Sequence, residues 1–171
     1  MKRIFTTCLF LCCSLVGHGQ ISIPVSRDVL KNSLQLNLAG DASLLSFHYD
    51  RLFEVSKGFM LSTKFGVGIN QEFRICFGGC YDAAELYTTF PHHLTAILGG
   101  GRHTVELGFG GTYLSGNTTE PYFFYPTLGY RLLPLGNMQS TFRAFVQFPV
   151  SGFETEDILF IPVGISFGFG F

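Results

Sequence analysis

The stretch that decides the fold is PVGISFGFGF, residues 162–171. Its alternate positions hold Pro162, Ser166 and three glycines. The positions between them hold only large apolar side chains: Val163, Ile165, Phe167, Phe169 and Phe171. Because successive side chains of a β-strand point to opposite faces, this segment predicts a strand with one apolar face and one nearly bare face.

The same alternation recurs in seven earlier segments. Strands are expected at about 33–38, 45–50, 59–70, 88–98, 104–113, 122–131 and 141–151. Turn sequences such as AGDA (39–42) and GGGR (99–102) separate them. No useful helical periodicity interrupts the series. The sequence therefore predicts an all-β chain, folded as a single eight-stranded antiparallel up-and-down transmembrane β-barrel.

The composition indicates which face of the strands points outward. Hydrophobic residues make up 47% of the chain and charged residues only 13%, whereas soluble domains average about 25% charged. The non-apolar face carries mainly Gly, Ser and Thr rather than the Lys and Glu of a water-facing surface. This pattern favours a barrel with its apolar face in lipid. A soluble lipocalin-like barrel, with the apolar face around a ligand, is the alternative.

Five charged side chains fall on the face predicted to point into the barrel: Asp50, Lys64, Glu106, Arg131 and Arg143. Eight strands leave an interior just wide enough for side chains. Charges confined there must pair or meet water. The sequence therefore predicts an interior charge network and a plugged lumen, although any single charge could instead lie near the rim.

The first residues are expected to form a secretory signal peptide, residues 1–19, followed by the barrel domain, residues 20–171. Lys2 and Arg3 precede a 13-residue apolar stretch, and the small residues Gly17 and Gly19 precede the expected cleavage between Gly19 and Gln20. Export through an oxidising compartment makes a Cys76–Cys80 disulfide the expected state of the two remaining cysteines. A metal site is the alternative, but it would need further ligands.

The chain resembles the small eight-stranded outer-membrane β-barrel proteins of Gram-negative bacteria. The similarity covers roughly residues 33–171 and is carried by TVELGFGGTYL, YPTLGYRLLP, TFRAFVQFPV and PVGISFGFGF. It implies residence in the cell outer membrane and contact with outer-membrane lipid. A monomer is expected because a closed barrel has no strand edge that demands a partner. The resemblance also implies that Phe167, Phe169 and Phe171 form the C-terminal signal read by the barrel-assembly machinery. The chain lacks Trp, so its aromatic girdles would use Tyr49, Tyr113, Tyr122 and Tyr130.

Little in the sequence indicates chemistry. In FPHHL, His92 and His93 are adjacent on a strand and point to opposite faces, so they cannot share a metal ion. No motif places a Ser or an acid beside either of them. We expect no catalytic, cofactor or metal site, and a net charge of −1 gives no sign of a nucleic-acid partner. A non-enzymatic role in envelope structure, adhesion or surface contact leads, with a small-solute pore and a lipid-modifying enzyme as alternatives.

Overall fold

A computed structural model describes residues 29–71, 85–116, 121–150 and 159–171. Within these ranges the protein is all-β. Its strands are β1 (Asn32–Leu38), β2 (Leu45–Ser56), β3 (Phe59–Gln71), β4 (Leu86–Leu98), β5 (His103–Ser115), β6 (Tyr122–Leu132), β7 (Ser140–Gln147) and β8 (Val163–Gly170). None of the described residues forms a helix long and apolar enough to cross a membrane.

The eight strands form a closed antiparallel up-and-down barrel, as the sequence predicted. Each strand pairs with its neighbours in the chain, and β1 pairs with β8 to close the sheet, with Leu36 opposite Phe167. The alternation in the sequence predicted the number and order of the strands more accurately than it predicted their lengths. Strands β4 and β5 each reach 13 residues, whereas β8 has 8 and β1 has 7.

The two faces of the wall have opposite chemistry. Outward-facing strand positions are mostly large and apolar, with Phe65, Leu94 and Phe109 all more than half exposed. Inward-facing positions are mostly glycine, hydroxyl-bearing, amide or charged residues. Because a strand shift of one residue would exchange the faces, this division fixes the register of every strand.

The barrel has two distinct ends. The start of β1, the end of β8, the tight β2–β3 and β4–β5 turns and the β6–β7 connection lie at one end, here called the terminal end. Strands β1, β3, β5 and β7 finish at the other end, here called the loop end. The β1–β2 connection, residues 39–44, forms part of the site described below.

A buried apolar cluster, here called a cap, lies near each end of the lumen. At the loop end the buried cluster contains Ala42, Tyr87, Leu114, Phe123 and Tyr125, with Phe160 packed against it. At the terminal end it contains Leu52, Met60, Ile97 and Leu133, with Val29 and Leu135 packed against it. The polar positions at the centre of the lumen therefore lie between the two caps.

Candidate functional site

The lumen centre holds a chain of alternating acids and bases contributed by four strands. The carboxylate of Asp50 on β2 accepts a hydrogen bond from the Arg131 guanidinium on β6. Arg131 Nη1 also lies 3.5 Å from Glu106 on β5, and Glu106 accepts a 2.8 Å bond from Arg143 Nε on β7. All four side chains are buried. Each charge therefore has an opposite charge beside it, which burial in a narrow barrel requires.

Three neutral polar side chains also contact the Asp50 carboxylate. Gln35 donates to its carboxylate at 2.8 Å, and Ser62 donates to its other oxygen. Ser33 lies at the edge of the same group, 3.4 Å from Asp50. These contacts come from β1 and β3, so the Asp50 carboxylate links three adjacent strands as well as Arg131 across the lumen.

Lys64 is the exception among the interior charges. Its side chain is buried, but its Nζ has no hydrogen-bond partner among the described residues. The ammonium lies 5.9 Å from the ring centre of Phe145, and Arg143 Cζ lies 4.1 Å from the same ring. A cation over a ring face is favourable, so the Phe145 ring partly stabilises both positive groups.

The β1–β2 connection folds into the mouth of the barrel rather than away from it. Asp41, Ala42 and Ser43 are all buried. Four consecutive residues, Ala39 to Ala42, have positive φ angles between 48° and 75°. For a residue other than glycine, this left-handed conformation costs about 1–2 kcal/mol. Contacts inside the barrel must offset that cost, and they converge on Asp41.

Asp41 is held from several directions. Its carboxylate accepts hydrogen bonds from Gln147 Nε2 at 2.5 Å and from Asn37 Nδ2. Its backbone N–H donates to Gln147 Oε1 at 2.7 Å, and its carbonyl accepts a 2.7 Å bond from Thr112. We call the inward-folded segment from Ala39 to Leu44 the plug turn.

Two histidines face the same carboxylate. His93 Nε2 lies 3.1 Å from one Asp41 oxygen, and His48 Nε2 lies 3.4 Å from the other. Glycines leave room for both rings: a Cβ on Gly66 would lie 2.6 Å from His48 Nδ1, and one on Gly110 would lie 2.7 Å from His93 Nδ1. The chain therefore uses bare wall positions opposite the two imidazoles.

This cluster lacks the geometry of a catalytic triad. A triad histidine bonds its acid through one ring nitrogen and its nucleophile through the other. Here the Ser46 hydroxyl and the Asp41 carboxylate both approach His48 Nε2, at 2.7 Å and 3.4 Å. The arrangement instead fixes the plug turn in the barrel mouth.

The surroundings of Asp41 keep its carboxylate ionised. Burial alone would raise the pKa of Asp41, but His93, His48 and Lys64 act in the opposite direction. Together they hold the pKa of Asp41 well below its ordinary value of 3.8. A charged carboxylate is the strongest acceptor for the amide donors of Asn37 and Gln147.

The residues singled out from the sequence have the following positions. The five charges Asp50, Lys64, Glu106, Arg131 and Arg143 all lie in the lumen, and all except Lys64 form the ion-paired chain. Phe167, Phe169 and Phe171 are exposed on the outer surface, as are Tyr49, Tyr113, Tyr122 and Tyr130. His92 faces outward and His93 inward. The expected signal peptide, Cys76 and Cys80 lie outside the described residues.

The sequence analysis did not identify Asp41 as a site residue, because AGDA was predicted only as a turn. It also did not identify His48 and Gln147, which contact Asp41. The alternation along β2 and β7 could have identified His48 and Gln147 as interior residues, because each lies on the non-apolar face of its strand. No local signal indicates that AGDA turns inward. Asp41 brings the interior set, counted over the described residues, to three carboxylates and three lysine or arginine cations, beside the two histidines.

Across the part of the chain that the structure describes, no group of three or more His, Cys, Asp or Glu side chains is placed to hold a metal ion. The chain matches no family model, and no curated protein or solved structure was found to be similar to it.

Proposed function

We propose that this chain is an integral outer-membrane β-barrel protein with a closed lumen, without enzymatic activity, which serves envelope structure, adhesion or surface contact through its loop end. The observation that carries the proposal is the belt of large apolar side chains around the outside of the wall. Soluble monomers rarely expose contiguous apolar patches larger than a few hundred Å². A surrounding hydrocarbon phase removes that cost, and the closed sheet leaves no unpaired strand edge within it.

Hydroxyl-bearing aromatics on the outer face support the same proposal. Tyr113 and Tyr122 lie near the loop end, and Tyr130 lies near the terminal end. Tyr49 donates a 2.7 Å bond to Asn32, the first residue of β1. Tyrosine suits the two membrane interfaces because its ring is apolar and its hydroxyl is polar.

The filled lumen argues against the pore alternative. A conducting path would have to pass the loop-end cap, the plug turn, the ion-paired chain and the terminal-end cap. The soluble lipocalin-like alternative is disfavoured as well, because the inward positions are mainly polar and a carrier of an apolar ligand needs an apolar cavity.

Charge at the loop end supports a role in surface contact. The segments 72–85, 117–120 and 151–158, which connect strands at this end, contain seven carboxylates and a single arginine in their sequence. The terminal end carries Lys31, Arg51, Lys57 and Arg102 against Glu54. We propose that the acidic end faces outward and favours cationic surfaces. The basic end would face the periplasm and the anionic lipids of the inner leaflet.

Insertion would follow the route that the family resemblance implies. The outward-facing Phe167, Phe169 and Phe171 on and beside β8 would be recognised by the barrel-assembly machinery. The β1–β8 pairing would then close a monomeric barrel in outer-membrane lipid. Under this proposal the protein needs no cofactor.

The experiment is fractionation of a Gram-negative host expressing the chain, followed by a detergent gel with and without boiling. The proposal predicts a band in the outer-membrane fraction whose mobility shifts on heating. Planar-bilayer recordings of the same purified material should show no stepwise conductance. A soluble periplasmic band without a heat shift would overturn the membrane assignment, and steady channel openings would favour the pore.

A further inference from the structure

The outer surface carries one polar pair within its apolar belt. His92 on β4 and Tyr122 on β6 reach across β5, and His92 Nε2 lies 2.8 Å from the Tyr122 hydroxyl. Their ring centres are 5.6 Å apart. The pair can form because Gly111 lies beneath it: a Cβ there would collide with the Tyr122 hydroxyl and lie 3.0 Å from His92 Nε2.

A groove of about 460 Å³ runs beside this pair. That volume falls within the range of about 300–1,000 Å³ typical of small-molecule sites. Its floor is the bare backbone of Gly110 and Gly111, and its walls include the outward-facing Phe65, Leu94, Phe109 and Phe124. Gly111, whose Cβ would point outward, thus leaves a groove in a surface that is otherwise covered by bulky side chains.

The His92–Tyr122 pair has one hydrogen-bond donor to spare. If the Tyr122 hydroxyl donates to Nε2, the imidazole proton lies on Nδ1, whose contact with the Phe90 carbonyl is long at 3.4 Å. If Nε2 carries the proton, the Tyr122 hydroxyl hydrogen is the free donor. A donor in apolar surroundings costs free energy until it finds an acceptor. In the tautomer with the proton on Nε2, the Tyr122 hydroxyl can therefore donate one hydrogen bond to a ligand in the groove.

We propose that this groove binds one ester-linked glycerophospholipid, with an acyl chain over Gly110 and Gly111 and an ester carbonyl oxygen accepting a bond from the His92–Tyr122 pair. The inference rests on the proposed membrane location. The groove is continuous with the apolar belt, so the occupant that reaches it there is an acyl chain. A phospholipid also supplies, at the head of the same chain, the acceptor that the spare donor lacks.

The test is native mass spectrometry of the purified, detergent-solubilised protein titrated with a synthetic diacyl phosphatidylethanolamine. Three proteins are compared: the unaltered chain, the double variant His92→Leu with Tyr122→Phe, and the control Tyr113→Phe. Tyr113 lies opposite Tyr122 in the β5–β6 pairing and does not line the groove. The control therefore removes the same hydroxyl at the same end of the barrel.

The unaltered chain and the control should retain one lipid with equal affinity, and the double variant should bind it about 2- to 10-fold more weakly, as expected for a lost neutral hydrogen bond. The dialkyl ether analogue, which lacks the ester carbonyls, should bind the unaltered chain as weakly as the diacyl lipid binds the double variant. Equal retention by all three proteins, or equal binding of the two lipids, would overturn the inference. So would a protein dimer that the double variant abolishes.

A heat-modifiable gel of each variant separates this inference from the proposed function. If all three proteins fractionate with the outer membrane and shift on heating, but bind lipid equally, only the lipid site is wrong. If the unaltered chain neither fractionates with the membrane nor shifts, the proposed function fails, and the lipid site fails with it.

Discussion

Asp41 and Gln147, 106 positions apart in the chain, are joined by two hydrogen bonds that run in opposite directions. The Gln147 amide donates to the Asp41 carboxylate at 2.5 Å, and the Asp41 backbone N–H donates to Gln147 Oε1 at 2.7 Å. One side chain on β7 thus satisfies both the charge and the backbone of the plug turn. This reciprocal contact fastens the β1–β2 connection to β7, which lies two strands from β1 around the closed wall.

Replacing Gln147 with Ala removes both bonds and leaves a buried backbone donor unpaired. The free energy of unfolding should fall by about 1–3 kcal/mol. Urea titration of the folded fraction in detergent, read from the heat-shifted band, measures the loss. Gln71→Ala, at the exposed end of β3, is the matched control and should change stability by less than about 0.5 kcal/mol. Equal effects of the two changes would contradict the role given to Gln147.

The charge of Asp41 predicts a dependence of stability on pH. Because the folded protein holds the pKa of Asp41 well below 3.8, the unfolded chain binds this proton more readily than the folded barrel does. Asp41 therefore contributes stability above the unfolded pKa of about 3.9 and loses it as the pH falls through the folded value. The difference in unfolding free energy between the unaltered chain and Asp41→Asn should be constant above about pH 5 and shrink below about pH 4. A difference that grows on acidification would refute this role.

The Asp50–Arg131 pair predicts a strongly non-additive mutant cycle. Arg131→Met leaves the Asp50 carboxylate buried without its cation, which should cost about 3–5 kcal/mol. Adding Asp50→Leu should recover at least half of that loss, because Glu106 keeps its contacts with Arg143 at 2.6–2.8 Å. Unfolding free energies of both single variants and the double variant give the coupling. Additive losses would show that the two charges are not energetically paired.

The glycines behind the histidines predict a steric effect. A Cβ on Gly110 would lie 2.7 Å from His93 Nδ1 and would also collide with the Tyr125 ring. Gly110→Ala should therefore lower stability by about 1–3 kcal/mol, the usual cost of overpacking. Gly101→Ala is the control, since a Cβ there would meet nothing closer than 4.0 Å. If the two alanines are tolerated equally, the lumen is looser than described.

The wall of the barrel could be predicted from the sequence because period-two alternation is a local signal. The Val163–Gly170 strand shows this best, because the size and polarity of each residue indicate whether it points inward or outward without any knowledge of the neighbouring strands. The same parity placed Asp50, Lys64, Glu106, Arg131 and Arg143 on the inward side.

The plug turn could not be predicted in this way. Its conformation depends on contacts between segments distant in the chain, such as Asp41 with Gln147 and Asn70 with the Ala42 carbonyl at 2.8 Å. Positive φ at Ala39 and Ala42 also runs against the intrinsic preference of alanine. The apolar caps escaped prediction for a related reason, because residues such as Leu133 lie in connections where alternation carries no signal.

The most direct test of the central claim, an apolar wall facing lipid around a polar lumen, uses the complete absence of Trp from the chain. Phe109→Trp places a single indole at an outward position that is 58% exposed, and Phe123→Trp places one at an inward position that is 2% exposed. Fluorescence of each variant is measured in vesicles of ordinary lipid and of lipid brominated on its acyl chains. We expect brominated lipid to quench the Phe109→Trp fluorescence strongly and the Phe123→Trp fluorescence little. Quenching of neither indole, or of the inward indole alone, would contradict an apolar wall that faces lipid.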